Sequence, residues 1–418
     1  MTKKLSLSEE LKWRGFVNQM TFDDISQLDD EKRTLYFGVD PSAASMTIGN
    51  LAAAMMVRHF IAHGYAAYLL VGGATGMIGD PDGKKQERDL KDLDEVEANK
   101  LAITAEYRTV FDSMDFTLVD NYDWFKDINY LEFLREVGKN MSMTQMLDRE
   151  FVQSRVGEGG SGISYAEFSY SLIQGYDFLH LYREYGVTLQ VAGADQWGNS
   201  LAGVELIRKL EGESAHVYTV PLVINQATGR KFGKSEGGAV WLDPELTSPF
   251  EFYQFWLNVD DQGVGDYIKI YTLIEPDEFD ELMAEFKSDP AGRVAQKYLA
   301  HQATKIVHGQ DAAEGVRAAS DVLGGLISGE LAFTELDIDQ QQLLEQVSTA
   351  EPQPTLVETL VSTELAQSNS EARRFIDQGA VTVNGDKVSD NQPMSEFEDV
   401  DGKLFLKRGK NSFVLIKR

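Results

Sequence analysis

Residues 34–39 and 66–71 are short apolar runs rich in β-favouring side chains. Between them, Leu51, Ala54, Met55, Val57 and Ile61 recur at helical spacing. A strand, a helix and a second strand within about forty residues leave little choice of fold. Strands joined through a helix run parallel, because a tight hairpin can only return the chain antiparallel. Further strand candidates at 117–119, 187–192 and 217–224 are separated by helical stretches. The expectation is an α/β domain, a doubly wound, Rossmann-like parallel sheet, over residues 1–225.

A chain of 418 residues exceeds one ordinary core, so further domains are expected behind this one. From Pro249 to about Gly325 the pattern is helical, with Phe250, Phe252, Tyr253, Phe255 and Trp256 clustered early. Residues 226–325 therefore read as a basic, glycine-rich loop followed by an α-helical domain. Residues 326–353 are acidic and glutamine-rich and run into Glu351-Pro352-Gln353-Pro354, which suits a linker. Residues 354–418 read as two short helices followed by strands, a small α+β domain. Within it, Asn384-Gly385 is a turn signal after the β-rich Val381-Thr382-Val383.

Composition works by exclusion. The absence of cysteine removes a disulfide framework, a thiolate nucleophile and cysteine-ligated zinc, and it suits a reducing, cytoplasmic setting. The first residues, MTKKLSLSEELKWRGF, place no apolar stretch behind their lysines and do not read as a secretory signal. Arg58, His59 and His63 interrupt the most apolar region, so no membrane span is expected. A net charge of −28 runs against nucleic-acid binding, yet local distribution can differ from the total. Lys403, Lys407, Arg408, Lys410, Lys417 and Arg418 form a terminal basic stretch without an acidic residue; a basic tail with no partner accounts for it equally. Arg293, Lys297, His301 and Lys305 fall at successive i, i+4 positions, a stripe for phosphates or, on general grounds the better reading, a solvated helix face.

Five segments carry chemistry. In Tyr36-Phe37-Gly38-Val39-Asp40-Pro41-Ser42, continuing through Thr47-Ile48-Gly49-Asn50, a strand ends and a helix opens. Such a junction offers free N–H groups and a positive dipole end to a triphosphate, and equally describes an ordinary capped helix. Gly72-Gly73-Ala74-Thr75-Gly76-Met77-Ile78-Gly79-Asp80 fits neither phosphate-loop template and reads as a glycine-rich turn exposing Asp80 and Lys84, or as a structural turn only. Tyr170, Gln174 and Asp177 share one helix face, lining either a pocket or solvent. Gly193 and Asp195 follow a strand, where ligands bind in such sheets, and Asp195 suits ribose hydroxyls or a helix cap. Lys231 and Lys234 sit in a glycine-rich loop that can close over a polyphosphate or remain simply exposed.

Together, and in this order, these segments resemble the bacterial tyrosyl-tRNA synthetases over the whole chain. Gly-Gly-Ala-Thr with Ile-Gly-Asp-Pro, Phe-Ser-Tyr-x-Leu-x-Gln-Gly-Tyr-Asp, Gly-x-Asp-Gln-Trp-Gly-Asn and Lys-Phe-Gly-Lys-Ser carry the resemblance. It implies a class I catalytic domain, a helical anticodon-recognition domain and a C-terminal S-four-type RNA-binding module. It further implies a homodimer acting on L-tyrosine, ATP with Mg2+, and tRNA(Tyr), with no metal ligated by the protein.

By position, Tyr36 and Asp177 would bind the tyrosine hydroxyl; Asp80, Tyr170 and Gln174 its ammonium, with Thr75 nearby; and Gln196 its carboxylate. Asp40, Ser42, Gly49, Gly193 and Asp195 would contact ATP, and Lys231 and Lys234 the pyrophosphate, with Lys84 and Arg88 as further partners. Arg373, Arg374, Lys407, Arg408 and Lys410 would meet RNA. The family's His-x-Gly-His is here Thr47-Ile48-Gly49-Asn50, so Thr47 and Asn50 would replace two histidine donors to the triphosphate. The competing readings are a tryptophanyl-tRNA synthetase, and a synthetase-derived RNA-binding protein without aminoacylation.

Overall fold

The structure, a computed structural model, describes residues 4–418 apart from 82–90, 158, 227, 228, 230, 231, 233, 236, 237, 348, 410 and 411. One compact unit comprises Met1–Ser248 and Trp256–Val307. Its sheet contains β1 (Thr34–Val39), β2 (Ala66–Val71), β3 (Thr117–Asp120), β4 (Val187–Gly193) and β5 (His216–Val220). The strand order is β3-β2-β1-β4-β5, and every neighbouring pair is parallel. The connections leave the β1–β4 boundary in opposite directions, so a crevice opens at the carboxyl ends of these two strands. Register sets Tyr36 beside Tyr68 on one side and beside Gln190 on the other.

Helix Ile48–Ala62 lies between β1 and β2 in sequence and buries Ala52 through Val57 without a break. Helix Tyr165–Tyr185 is started by Ser164, whose hydroxyl accepts from the Glu167 N–H, and stopped by Gly186 at φ 66°. It packs against helix Trp197–Leu210. A β-carbon on Gly203 would come within 2.6 Å of Phe178, so the close crossing requires glycine there.

Two expectations need correction. The last strand ends at Val220 rather than 224, because Pro221 has no N–H for the ladder and Leu222 and Ile224 are exposed. The glycine-rich stretch after β2 is a helix, Gly73–Ile78, not a turn. Its glycines pack where side chains would collide, Gly76 against Pro41 for example, so tertiary contact outweighs poor helix propensity.

Helix Leu7–Arg14, capped by Ser6 and Glu9, is tied down by a buried charge cluster. Arg14 donates to the carbonyls of Lys269, Thr272 and Ile274 at 2.9–3.0 Å and to Glu10 at 2.9 Å. Glu10 also accepts from His59 Nδ1 at 2.9 Å and meets His63 Nε2 at 2.7 Å. His59 Nε2 is buried without a partner among the described residues, which suits a neutral ring, because an imidazolium would strand an N–H there. Burial, with Arg14 and Arg58, lowers the His59 pKa to about 4 against the pull of Glu10. The unfolded chain takes up that proton near pH 6.5, so the folded state loses stability as pH falls from about 6.5 to about 4, by at most about 1.4 kcal/mol per pH unit. Urea midpoints at pH 7, 6 and 5 should fall less steeply for His59→Asn than for the parent chain; parallel slopes would remove His59 as the cause.

The basic stripe of the helical region does not hold together. Arg293 stands before helix Val294–His308 at φ 53° and donates to the Leu257 carbonyl, while His301 is half-buried. Lys297 and Lys305 remain exposed.

The second unit comprises Pro249–Phe255 and His308–Arg418. Its sheet contains β8 (Thr349–Ala350), β9 (Val381–Val383), β10 (Asp386–Lys387), β11 (Lys403–Arg408) and β12 (Ser412–Lys417), with β6 (Lys234–Ser235) and β7 (Gly238–Ala239) forming a separate ribbon in the first unit. Helices Leu356–Ser362 and Asn369–Asp377 bury Leu356, Leu360, Ala372 and Ile376 in one core with Val381, Leu404, Leu406 and Ile416. The Asn384-Gly385 turn forms as its residues require, both at positive φ. The stretch 326–353 differs from a simple linker: helix Gln310–Ser328 runs into it, and β8 pairs in parallel with β12.

Candidate active site

A cavity of about 380 Å³ opens at the carboxyl ends of β1 and β4. Tyr36 comes from β1, Asp40 from just beyond it, and Thr75 from helix Gly73–Ile78. Tyr170, Gln174 and Asp177 reach it from one face of helix Tyr165–Tyr185, and Gln190, Gly193, Asp195 and Gln196 come from β4 and the turn after it. The helical spacing of the Tyr-Gln-Asp stripe therefore resolves to a pocket, and Asp80 lines it too.

A hydrogen-bonded chain holds these groups. Asp177 accepts from Asn121 Nδ2 at 3.1 Å and Trp124 Nε1 at 2.9 Å. Asn121 Nδ2 also donates to Thr75 Oγ1, and the Thr75 and Tyr170 hydroxyls donate to the two oxygens of Asp40, each at 2.6 Å. Gln196 Nε2 donates to Asp80 at 2.6 Å, and Arg149 steadies the neighbouring Asn199 at 2.8 Å. The glycines after β2 make room for this chain: a β-carbon on Gly72 would lie 2.2 Å from both Asp40 Oδ1 and Thr75 Oγ1. They serve carboxylates and a hydroxyl.

Among the described residues, three buried atoms in the cavity lining have no hydrogen-bond partner: the Tyr36 hydroxyl and the Oε1 atoms of Gln174 and Gln190. Each such atom costs about 1–3 kcal/mol. Three in one cavity make a polar lining of the kind found in ligand sites. Burial pushes the Asp177 carboxyl well above the usual range, despite its two donors. Burial also raises the Tyr36 and Tyr170 hydroxyls, with Asp177 adding to the first and Asp40 and Asp80 to the second.

Ser42 and Thr47 line the same cavity from the turn after β1, and Gly49 and Asn50 from the first turn of helix Ile48–Ala62. Asn50 Oδ1 accepts from both the N–H and the hydroxyl of Thr47, each at 2.9 Å. The Thr47 proton is thus used inside the turn, and the expected pair of donors reduces to the Asn50 amide hydrogens. Phe232 and Ala239 flank the cavity from the basic loop. The backbone of Lys234 lies in β6, whereas Lys231, Lys84 and Arg88 fall outside the described residues. Asn121, Trp124 and Gln190 were not assigned from sequence. Asn121 directly follows a strand, as Asp40 does, and Gln190 is a polar residue inside an apolar strand; Trp124 carries no such signal.

The family described as tRNA synthetases class I (W and Y) matches residues 28–323, and the tyrosine--tRNA ligase SYY-like C-terminal domain matches residues 338–416. Tyrosine--tRNA ligase 2 of a Bacillus cereus strain is 42% identical over 424 residues, spanning 99% of this chain and 100% of that protein. The chain belongs to the tyrosyl-tRNA synthetases. The tyrosine--tRNA ligase of Levilactobacillus brevis is 41% identical to this synthetase, with 99% of each chain covered. A C-terminally truncated mitochondrial tyrosyl-tRNA synthetase of Aspergillus nidulans superposes with a TM-score of 0.70 at 29% identity, covering 77% of this chain and 95% of that one.

In the synthetase's second unit, the basic residues expected to meet RNA divide by partner. Arg373 and Arg374 are exposed on helix Asn369–Asp377. The Arg374 and Arg408 guanidinium groups lie 5.3 and 5.0 Å from the centre of the Phe375 ring. Lys407 instead donates to the Ile327 carbonyl at 2.8 Å, in the last turn of helix Gln310–Ser328, and nearly buried Lys403 pairs with Glu345 at 2.9 Å. Lys410 lies outside the described residues.

Proposed function

We propose that the cavity binds L-tyrosine beside ATP and forms tyrosyl-adenylate, which the enzyme then uses to charge tRNA(Tyr). The observation that carries this reading is the pairing of the partnerless Tyr36 hydroxyl with buried Asp177 in one small cavity. A phenol donates to Asp177 while accepting from Tyr36, whereas phenylalanine would leave the Tyr36 hydroxyl unanswered and Asp177 with its two protein donors alone. Asp80, Tyr170 and Gln174 suit an ammonium group, Gln196 suits the carboxylate, and Gly193 and Asp195 suit the ribose.

The tyrosine carboxylate attacks the α-phosphate of ATP; a C–O–P linkage forms and the bond to pyrophosphate breaks. The nucleophile is already ionised, so no general base is needed, and rate comes from positioning and charge stabilisation. The Asn50 amide, Lys231 and Lys234 would meet the developing negative charge, with Mg2+ entering as part of the nucleotide substrate. A hydroxyl of the terminal adenosine of the tRNA then attacks the tyrosyl carbonyl and releases AMP. A homodimer is supported by exposed Tyr130, Leu131, Met143 and Tyr165, apolar area that a second copy would cover. A cytoplasmic setting rests on the cysteine-free sequence.

Tyrosine-dependent ATP–pyrophosphate exchange by the purified chain is the test, and its absence would return the reading to an RNA-binding protein. Arg373→Ala with Arg374→Ala should weaken tRNA charging about tenfold or more and leave exchange within about twofold, as loss of two phosphate contacts requires. Equal loss of both activities would sink that division of labour.

A further inference from the structure

Helix Leu93–Val110 grips the turn after β1 at two points from one face. Asn99 Nδ2 donates to the Pro41 carbonyl at 3.1 Å, and seven residues on, Glu106 accepts from the Ser45 hydroxyl at 2.5 Å and the Met46 N–H at 2.8 Å. Ser45 is buried, and its oxygen in turn accepts the N–H groups of Leu242 and Asp243, at 3.2 and 3.0 Å. Those residues leave the basic loop through β7. Ladder bonds run alongside, Ile48 N–H to Val240 at 3.1 Å and Leu242 N–H to Met46 at 2.9 Å. One carboxylate thus sits at a junction of the two phosphate-facing segments, although it does not line the cavity itself.

We propose that Glu106 is a positioning residue, which through Ser45 sets the turn carrying Thr47 and Asn50 in register with the segment leaving the basic loop. The inference rests on the reading of that turn as the ATP site. The carboxylate fits the junction: the Ser45 hydroxyl, which accepts two N–H groups, has two acceptors in reach of its one proton, a Glu106 oxygen at 2.5 Å and the Met46 carbonyl at 2.8 Å, and the shorter contact is the one to Glu106. An ionised carboxylate accepts from both Ser45 and Met46 with no proton of its own to place between them. Burial and Asp243 nevertheless push the Glu106 carboxyl up to about 7, against the pull of Ser45 and Met46.

The test is pyrophosphate exchange with ATP and tyrosine varied separately. Loss of two bonds to a charged acceptor should raise the KM for ATP about tenfold or more in Glu106→Ala, with the KM for tyrosine within about twofold. Ser45→Ala should shift the same constant, and the double variant should be no worse than Glu106→Ala, because both break one link. Glu106→Gln, which can still accept from Met46, should recover part of the ATP affinity. An unchanged KM for ATP in Glu106→Ala, an equal rise for tyrosine, or additive single effects would each overturn the proposal. If Glu106→Ala does not fold, the ATP-against-tyrosine split in Ser45→Ala decides it. Failure of exchange in the parent chain would instead overturn the reading of the site.

Discussion

Replacing Asp177 by alanine should lower kcat/KM for tyrosine in pyrophosphate exchange by about 10²–10³-fold, with the KM for ATP within about twofold. The carboxylate accepts from Asn121 and Trp124 and, in the proposed function, from the phenol of the substrate, so on that proposal its removal deletes a ligand bond and strands two buried donors. A lost bond to a charged group costs about 1.5–3 kcal/mol and an orphaned donor about 1–3 kcal/mol, together about two to four factors of ten. The lower half of that span is expected, because the orphaned donors weaken the free enzyme as well as the complex. Asp177→Asn should recover little, since one of its two positions becomes an N–H facing an existing donor. Tyr36→Phe should be milder, about tenfold, and should narrow the preference for tyrosine over phenylalanine. Steady-state exchange with both amino acids measures all three, and an unchanged KM for tyrosine in Asp177→Ala would remove this residue from the amino-acid site.

Arg14→Ala should destabilise the folded chain by about 3–5 kcal/mol, the range found when one partner leaves a buried charged network. Arg14 is only 2% exposed and supplies the donors for three backbone carbonyls and Glu10, all of which would be left short. Arg14→Lys should rescue less than half, because a point-charge ammonium cannot reproduce the guanidinium fork. Urea unfolding followed by tryptophan fluorescence reads the change, and exchange activity per folded molecule should hold, since the cluster lies outside the cavity lining. A loss below about 1 kcal/mol would mean that the carbonyls of Lys269, Thr272 and Ile274 find other donors.

The two largest effects differ in how visible they are in the chain. Asp177 was legible: its i+3 and i+7 spacing from Gln174 and Tyr170 puts three polar side chains on one helix face, whatever packs around it. Arg14 was not, because beyond Glu10, one turn back, its partners are backbone carbonyls some 255 to 260 residues away. The same contrast runs through the site. Thr47 and Asn50 stood out as paired donors, but the N-cap geometry turns the Thr47 hydroxyl onto Asn50 and leaves one amide to serve a ligand. Lys407 reads as an RNA contact from charge alone, yet a carbonyl at the end of helix Gln310–Ser328 holds it.

Local periodicity was enough for β1, β2, their connecting helix and the Asn384-Gly385 turn, because those depend on side-chain alternation and on φ angles that neighbouring residues impose. Where distant segments meet, local rules lose their force. Gly73–Ile78 holds as a helix because Asp120 and Pro41 pack into the space that side chains at Gly73 and Gly76 would fill, and β5 stops before Pro221 because the ladder has no donor there. The motifs and their order therefore carry the family and the chemistry. Packing carries the assignments within it: which donors remain free, which charges are spent on the fold, and which carboxylate joins the turn after β1 to the segment after β7. Hydrogen-bond capacity is written in residue type, but its use depends on neighbours that only the folded chain brings within about 3 Å.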